Sequence, residues 1–544
     1  VDDTAAAAFQ LAGQDIPWMV DRWAQSRPDH PFLVWEPRSG TGRTWTYRQF
    51  ADDVERLAAG LSARRIGVGD KVLIHADNCP EAVLAWYACA RVGAVAVTTN
   101  TRSVAAEVSY FASHAGCVAA VTQPRYAALV AKAAPDLRWI VVTADDSGEP
   151  PGESDEVDAG SGTGSDSDHG FEPFEALFAD SSAGPAPARP ADPMLPAGIL
   201  YTSGTTSRPK AVVHTHGNAV WAARTGPTNI DMTDDDTYLV YLPFFHVNAQ
   251  SWSIWTTLGA GGTIVLQPKF SASRFWDVIA RHRVTHISLI PFVFKAIAGQ
   301  PIPDHTVRVG VFGLEMPELE EWLRMRVVPA YGMTETVIHA VHATSREPYP
   351  RQSMGRPTPG YEALIVDPES GRICDDGAIG ELWMRGTRGI QLFLEYYDNP
   401  DANAAAFTED GWFRTGDLVR LGENGNLFYS ERDKDALKVG GENVSAREVE
   451  DVCRTVTGVD DVAVVAKSHD MLDVVPVAFV IKGDGAPRSD DALADAVMAA
   501  CRDSLSDFKR PRAVYVVESF PTATLEKVAK HKLRELADAR PPVD

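Results

Sequence analysis

The chain has 544 residues, with Lys+Arg 51 against Asp+Glu 74 and a formal net charge of −23. That length exceeds one ordinary globular core and implies two to four domains, while 45% hydrophobic and 23% charged residues exclude global disorder. So acidic a balance argues against electrostatic binding to nucleic acid or an anionic membrane as the main role.

The first ten residues, VDDTAAAAFQ, have no basic region followed by an apolar core, so no signal peptide is expected. Strand and helix patterns then alternate: KVLIHA (71–76) as a strand, 80–91 as a helix, GAVAVTT (93–99), CVAAVT (117–122) and WIVVTA (139–144) as strands. The longest apolar stretch, 82–97, contains Arg91 and Gly93. It falls short of the ~20 apolar residues of a membrane helix and reads as a buried helix followed by a buried strand. Val- and Ala-rich strands separated by helices imply a mostly parallel sheet covered on both faces. Residues 145–193 differ, being rich in Gly, Ser, Pro, Asp and Glu, with Arg189 the single basic residue. They predict a flexible acidic insertion, in which the amphipathic piece FEPFEALFA (171–179) can dock. Nine acidic residues and no Lys or Arg lie between 145 and 168, so a large share of the excess charge sits in one loop.

The α/β pattern resumes at GILYTSG and runs through TYLVYLPFF, GGTIVLQ, THISLI and VRVGVFG. From 360 to 419 the character turns toward β, and GENGN (422–426) supplies hairpin chemistry. The last hundred residues alternate helix, two strands, helix, strand and a charged helix, which reads as a small α+β domain. The six cysteines, Cys79, Cys89, Cys117, Cys374, Cys453 and Cys501, form no CxxC pair. That speaks against a zinc ribbon or a disulfide framework and suits a reducing compartment, so a cytoplasmic location is expected.

The informative segment is YTSGTTSRPKAVVHTHGN (201–218). Thr202, Ser203, Gly204, Thr205 and Thr206 precede Pro209 and Lys210. Consecutive hydroxyls, a glycine backbone and one ammonium suit the oxygens of a polyphosphate, although the spacing is not that of a Walker loop. A plain polar turn between a strand and a helix is the competing reading. The ordered run ending in Pro-Lys resembles the phosphate-loop signature of the adenylate-forming superfamily, which includes acyl- and aryl-CoA synthetases, peptide-synthetase adenylation domains and luciferases. Ser207 stands where that family usually has glycine.

Further blocks follow in the superfamily's order, and the resemblance covers nearly the whole chain. It implies an α/β fold: a large N-terminal adenylating domain with a β-rich subdomain (1–433) and a small mobile α+β C-terminal domain (434–544). In YGMTET (331–336), the resemblance implies Tyr331 and Gly332 against adenine, Thr334 on the α-phosphate and Glu335 on Mg2+, which prefers a carboxylate plus phosphate oxygens. Gly313, Leu314 and Glu315 are implied along the same nucleotide. In WFRTGDL (412–418), Asp417, expected at a turn after a strand, would accept from both ribose hydroxyls, and Arg432 would touch the same ribose. Lys434 aligns with the hinge. Gly440 and Gly441 would line a passage for a pantetheine arm, beside Lys438, which reads equally as a solvated lysine. Lys527, in FPTATLEKVAKHKLRE (520–535), aligns with the catalytic lysine that bridges the attacking carboxylate and the α-phosphate. Glu526 replaces the usual preceding glycine, and Thr522 stands near a usual arginine.

LPFFHVNAQSW (242–252) resembles the aromatic segment beside the acyl pocket, with His246 on the carboxylate or gating the tunnel. His214 and His216 are taken as structural or phosphate-adjacent rather than a metal pair. Phe245, Asn248, Trp252, Trp255, Val337 and His339 are candidate pocket residues, with Gly313 and Leu314 at their edge. Their bulk suits a small or aromatic acid. The expected reaction is two-step: ATP and a carboxylic acid give an acyl-adenylate, and CoA then takes the acyl group. Three alternatives stay open: transfer to a carrier protein, activation of nitrite for diazotisation of an aromatic amine, and a nucleotide-binding pseudoenzyme. No nucleic-acid or membrane partner is expected, and the chain is expected as a monomer or homodimer.

Overall fold

The computed structural model describes residues 3–148, 171–179, 184–202, 208–344, 347–432, 436–521, 528 and 530–543. Ser203, Gly204, Thr205, Thr206, Lys434 and Lys527 therefore lie outside the described residues, as do Ser207, Thr522, Glu526 and most of the acidic stretch.

Two sheets built largely of parallel strands form the body. In one, Ile140–Val142, Cys117–Thr122, Lys71–His75, Val95–Thr98 and Pro196–Thr202 run parallel, and Lys210–Thr215 and Glu395–Tyr396 close the edge antiparallel. In the other, Val309–Phe312, His286–Ser288, Thr237–Val240, Thr263–Leu266 and Pro31–Trp35 run parallel. The antiparallel strands Ser353–Pro357, Leu427–Arg432, Trp412–Leu421, Ile379–Arg385 and Glu362–Val366 extend it into a β-rich flank.

The helix expected at 80–91 is Pro80–Val92. Proline at its first turn starts it with φ already set, and Gly93, at φ 82°, ends it in the left-handed conformation. It is apolar all round because the core surrounds it: Trp86, Tyr87 and Cys89 are all buried. Edge-on ring contacts link Tyr87 to Phe50 and Phe50 to Phe32, joining this helix to Tyr47–Ala63 and Pro31–Trp35.

The region expected as one flexible insertion is anchored wherever it is described. Glu172–Pro173 pairs with Ile140–Val142, and the turn Phe174–Leu177 buries Phe174 and Leu177. Arg189 pairs with the buried carboxylate of Asp15 at 3.0 Å and donates to the carbonyl of Ala90 at 2.8 Å. Composition misses these anchors because a few apolar side chains and one guanidinium fix the chain, whatever the average polarity.

The C-terminal part has its own sheet. The hairpin Ala436–Val439 and Glu442–Ser445, the long pair Val459–His469 and Asp473–Lys482, and Val514–Val517 pack against Ala446–Arg454 and Asp490–Ser504. Its buried residues form clusters separate from the main core.

Candidate functional site

The phosphate-type motif lies between two antiparallel strands, not between a strand and a helix. Thr202 ends Pro196–Thr202 and pairs with Lys210, the first residue of Lys210–Thr215. The helix His216–Asn229 follows only afterwards, started by Thr215, whose hydroxyl accepts from the Asn218 N–H at 3.0 Å. The described residues that flank 203–207 are thus joined through the Thr202–Lys210 strand pair. Lys210 Nζ lies 4.7 Å from the Tyr396 ring centroid. Burial pulls its pKa down, opposed by the charge of Glu335.

Glu335 sits in the short helical turn Thr334–Thr336, is 5% exposed, and accepts at Oε1 from the Tyr396 hydroxyl at 2.9 Å. The Tyr396 hydroxyl and ring thus meet both ends of the Lys210–Glu335 arrangement. Beside it, His214 Nε2 donates to the Thr334 carbonyl at 2.7 Å. Burial lowers the His214 pKa to about 4, so a neutral ring with its proton on Nε2 fits an acceptor-only carbonyl. His216 is also buried, with Nδ1 accepting from the Ile16 N–H and Nε2 facing Arg189. Both histidines hold backbone in place here, and His214 is the one that adjoins the Thr334–Thr336 turn.

The turn is strained at its exit. Val337 has φ 68° and ψ −57°, and Ile338 N–H donates to the Thr336 carbonyl at 2.7 Å. A β-branched residue in this three-residue turn is costly. Such strain is concentrated where geometry serves a site.

Tyr331 ends the strand Arg326–Tyr331 and donates from its hydroxyl to Asp417 Oδ2 at 2.6 Å. Asp417, expected at a turn, lies inside the strand Trp412–Leu421. Gly416, with φ 74°, bends that strand without ending it, which is why the Thr-Gly-Asp signal resembles a turn. Arg432 is the backbone partner opposite Asp417 on the neighbouring strand. At the adjoining corner, Gly313 has open space where a side chain would project. The Glu315 carboxylate is held by Arg326 in a two-pronged pair at 2.9 and 3.0 Å.

The acyl-side segment forms a π-helix, Asn248–Trp255, a rare form that recurs at functional sites. Nothing in the hydrophobic pattern signals it. Trp255 is fully buried and Trp252 partly exposed, while Asn248 Oδ1 accepts from Ser288 Oγ at 2.8 Å. The Phe245 and His246 rings lie tilted against each other just before it, with centroids 4.7 Å apart. Val337 and His339 are fully buried.

The C-terminal hairpin reaches this corner. Gly440 and Gly441, at φ 57° and 96°, form its two-residue tip, as two-residue hairpin turns require. A side chain at Gly441 would meet Ile290 Cδ1 at 3.3 Å. Glu442, next along, is within 3.0 and 3.1 Å of His246 Nε2. Burial would lower the His246 pKa, but the Glu442 charge and hydrogen bond raise it overall, and the same contact outweighs burial to lower that of Glu442. Lys438 is exposed on the same hairpin. Further contacts join the two domains: Lys295 with Asp473, Arg102 with Asp507 at 2.6 and 2.8 Å, and Lys509 with Glu107 at 2.6 Å. Sequence patterns do not single out Glu442, Tyr396, Glu107 or Lys509. Glu442 directly follows the two glycines, a signal that could have found it; the others become visible only through contacts distant in sequence.

For a divalent cation, the described residues contain no group of three or more His, Cys, Asp or Glu side chains. Glu335 offers one buried carboxylate close to Lys210. That fits a magnesium ion held mainly by substrate phosphates, the usual mode for nucleotide-bound Mg2+.

A family model described as AMP-binding enzyme matches residues 20–397, and one described as AMP-binding enzyme C-terminal domain matches 448–527. The crotonobetaine/carnitine–CoA ligase of Proteus mirabilis is 30% identical over 541 residues, covering 96% of this chain and 99% of that protein. The Bacillus subtilis o-succinylbenzoate CoA synthetase bound with its product analogue OSB-NCoA superposes with TM-score 0.78 at 25% identity, covering 96% of this chain and 98% of that one. The same enzyme in complex with AMP gives TM-score 0.65, at the same identity and coverage. No helix among the described residues is long and apolar enough to cross a membrane. The chain belongs to the AMP-binding enzyme family, the adenylate-forming superfamily of acyl- and aryl-CoA synthetase type.

Proposed function

We propose that this protein joins a small or aromatic carboxylic acid to CoA, with the residues above in the roles that follow. As a family member it is an ATP-dependent, AMP-forming acid–CoA ligase that works through an acyl-adenylate. The observation that carries the residue assignment is the Lys210–Tyr396–Glu335 arrangement beside the Tyr331–Asp417 hydrogen bond. It supplies a cation and a buried carboxylate for the phosphate end of a nucleotide and a carboxylate acceptor for its ribose.

In the first step the acid's carboxylate attacks the α-phosphorus of ATP and pyrophosphate leaves. Residues 202–206 and Lys210 hold the β- and γ-phosphates, and Thr334 donates to the α-phosphate. Gly313, Leu314, Tyr331 and Gly332 flank the adenine, while Asp417 and Arg432 hold the ribose. Magnesium, bound by Glu335 and the phosphates, supplies charge neutralisation. Lys527 stabilises the charge that develops between carboxylate and phosphate.

The second step uses the arrangement described above. Gly440–Gly441 lies against Ile290, and Glu442 faces His246, which turns His246 toward the C-terminal hairpin. A narrow side-chain-free passage at the two glycines suits a thin pantetheine arm whose thiol attacks the acyl carbon and releases AMP. The closer match to the product-analogue complex than to the AMP complex of one enzyme supports assigning this domain arrangement to thioester formation. The first step then needs a turn of the small domain, taken as 434–544, about Lys434. A cytoplasmic location follows from where CoA and ATP are used.

Purified protein with Mg·ATP, CoA and a panel of acids, read by pyrophosphate release and product mass, tests this reading. Thioester and AMP are expected. Adenylate without thioester would transfer the acceptor role to a carrier protein, and no pyrophosphate with any acid or with nitrite would end the enzyme reading. Lys527→Ala is expected to lower adenylation ~1,000-fold while sparing thioester formation from supplied acyl-adenylate.

A further inference from the structure

The acyl corner contains two touching rings whose polar atoms have no partner. Trp252 and His339 meet edge to face, with centroids 4.6 Å apart and planes at 72°. Trp252 Nε1 and both ring nitrogens of His339 are buried and make no hydrogen bond among the described residues, and His339 is 0% exposed. Buried polar side chains are nearly always bonded, so three orphan nitrogens on adjacent rings are unusual.

Their position ties them to the reaction. Trp252 lies on the π-helix, and its Cζ2 would be 2.8 Å from a side-chain carbon placed on Gly332, the residue after Tyr331. His339 follows the strained turn at Val337 by two residues. Its backbone is fixed, with the carbonyl accepting from the Thr358 hydroxyl at 2.6 Å, so the ring's freedom from bonds does not reflect a loose chain. The pair therefore stands next to the segment that carries Thr334 and Glu335.

The chemistry offered is specific. Burial drives the His339 pKa down to about 3, which leaves a neutral imidazole with one donor and one acceptor. Trp252 adds a second donor. Neither ring supplies charge, so a second carboxylate or an ammonium on the acid would be buried uncompensated.

We propose that Trp252 and His339 are a specificity-determining pair that recognises an uncharged oxygen, a hydroxyl or keto group, on the body of the acid. The substrate class is then a short or aromatic hydroxy- or oxo-acid. The oxygen accepts from Trp252 Nε1–H and from the protonated nitrogen of His339, and a hydroxyl donates to a neighbouring acceptor. This rests on the acid-activating reading above. A pocket built to bond an oxygen rejects an analogue lacking it far more strongly than an apolar pocket rejects a lost methylene.

The test uses matched acids with the full-length enzyme and Mg·ATP: butyrate, 3- and 4-hydroxybutyrate, 3-oxobutyrate, benzoate, and 3- and 4-hydroxybenzoate beside their methyl analogues. kcat/KM is read as pyrophosphate release, so the result does not depend on CoA being the acceptor. In at least one frame the oxygen-bearing acid is expected to exceed its hydrogen and methyl analogues by ~100-fold or more. Trp252→Phe and His339→Phe are each expected to cut that ratio to below ~10-fold, and His339→Asn, which keeps a donor, to retain more of it. Apolar acids equal to or better than their oxygenated partners in every frame would overturn the proposal. So would a ratio unchanged in whichever of the three variants folds, as checked by its thermal transition. Selective adenylation without thioester would support this inference while overturning the CoA reading, and no turnover of any acid would overturn both.

Discussion

Two buried charge clusters in this molecule have opposite composition and opposite roles. Inside the large domain, one carboxylate, Glu36, receives Arg274 at 2.5 Å, Arg281 at 2.7 Å and His282 at 2.7 Å. Across the domain boundary, one ammonium, Lys509, is shared by Glu107 of the large domain at 2.6 Å and Glu448 of the small one at 2.9 Å. The first links a strand end to the helix Phe275–His282 and persists for the life of the fold. The second must part if the small domain turns. An excess of negative charge suits a contact that parts, because Lys509 leaves together with Glu448, and Glu107 alone is left to water, which solvates carboxylates well. A buried pair that stays closed can be fully satisfied, whereas one that opens must leave its partners solvable.

The largest effect is expected at the permanent cluster. Glu36→Ala leaves two guanidinium groups facing an empty site, and chemical denaturation should show a loss of ~3–5 kcal/mol. Burial works against the ionised Glu36, but the hydrogen bond from His282 and the charges of Arg281 and Arg274 hold its pKa below the ordinary value overall. Its contribution is therefore complete above the unfolded carboxylate pKa and disappears as pH falls through the lowered folded value. A variant unfolding like the parent at neutral pH would remove the contrast between the clusters.

Next is the cluster that opens. Lys509→Met should lower thioester formation from supplied acyl-adenylate ~10–100-fold, leave adenylation near the parent rate, and shift the domain equilibrium seen by small-angle scattering or paired fluorophores. Equal loss in both half-reactions would make Lys509 a plain fold residue like Glu36.

A smaller, pH-dependent change is expected at His246–Glu442. The raised His246 pKa means its contribution to domain closure is present below the unpaired histidine value and is lost as pH rises through the raised one. Lys509, whose pKa its carboxylates raise against burial, keeps its charge over the same range. Closure followed by fluorescence should therefore weaken from neutral to mildly alkaline pH in the parent, and His246→Gln should flatten the profile. The smallest effect belongs to Asp507→Asn. Arg102 and Asp507 are 45% and 52% exposed, and such pairs contribute ~0–1 kcal/mol, so closure should change by less than ~5-fold.

The contrast also bears on what can be read from the chain alone. The helix at Pro80–Val92 and the strands at 71–76, 117–122 and 237–240 announce themselves through apolar runs bounded by proline, glycine and asparagine. The ordered motifs lead to Thr202, Lys210, Tyr331, Glu335 and Asp417, and the structure brings Lys210 to Glu335 and Tyr331 to Asp417. What escapes depends on long-range meeting. Lys509 and Glu107 are 402 residues apart in sequence, and neither carries a local pattern. The π-helix is one extra residue per turn in an otherwise ordinary apolar helix. Asp417 reads as a turn because glycine marks a bend whether or not a strand continues through it.

The neutral histidine behind the Thr334–Thr336 turn has a mechanical consequence. His214 belongs to the strand that begins at Lys210, and it grips the carbonyl of Thr334. Two stretches of chain 120 residues apart therefore share one buried bolt. Nucleotide bound at either stretch should slow amide hydrogen exchange at both together, since neither can open locally without breaking that bond.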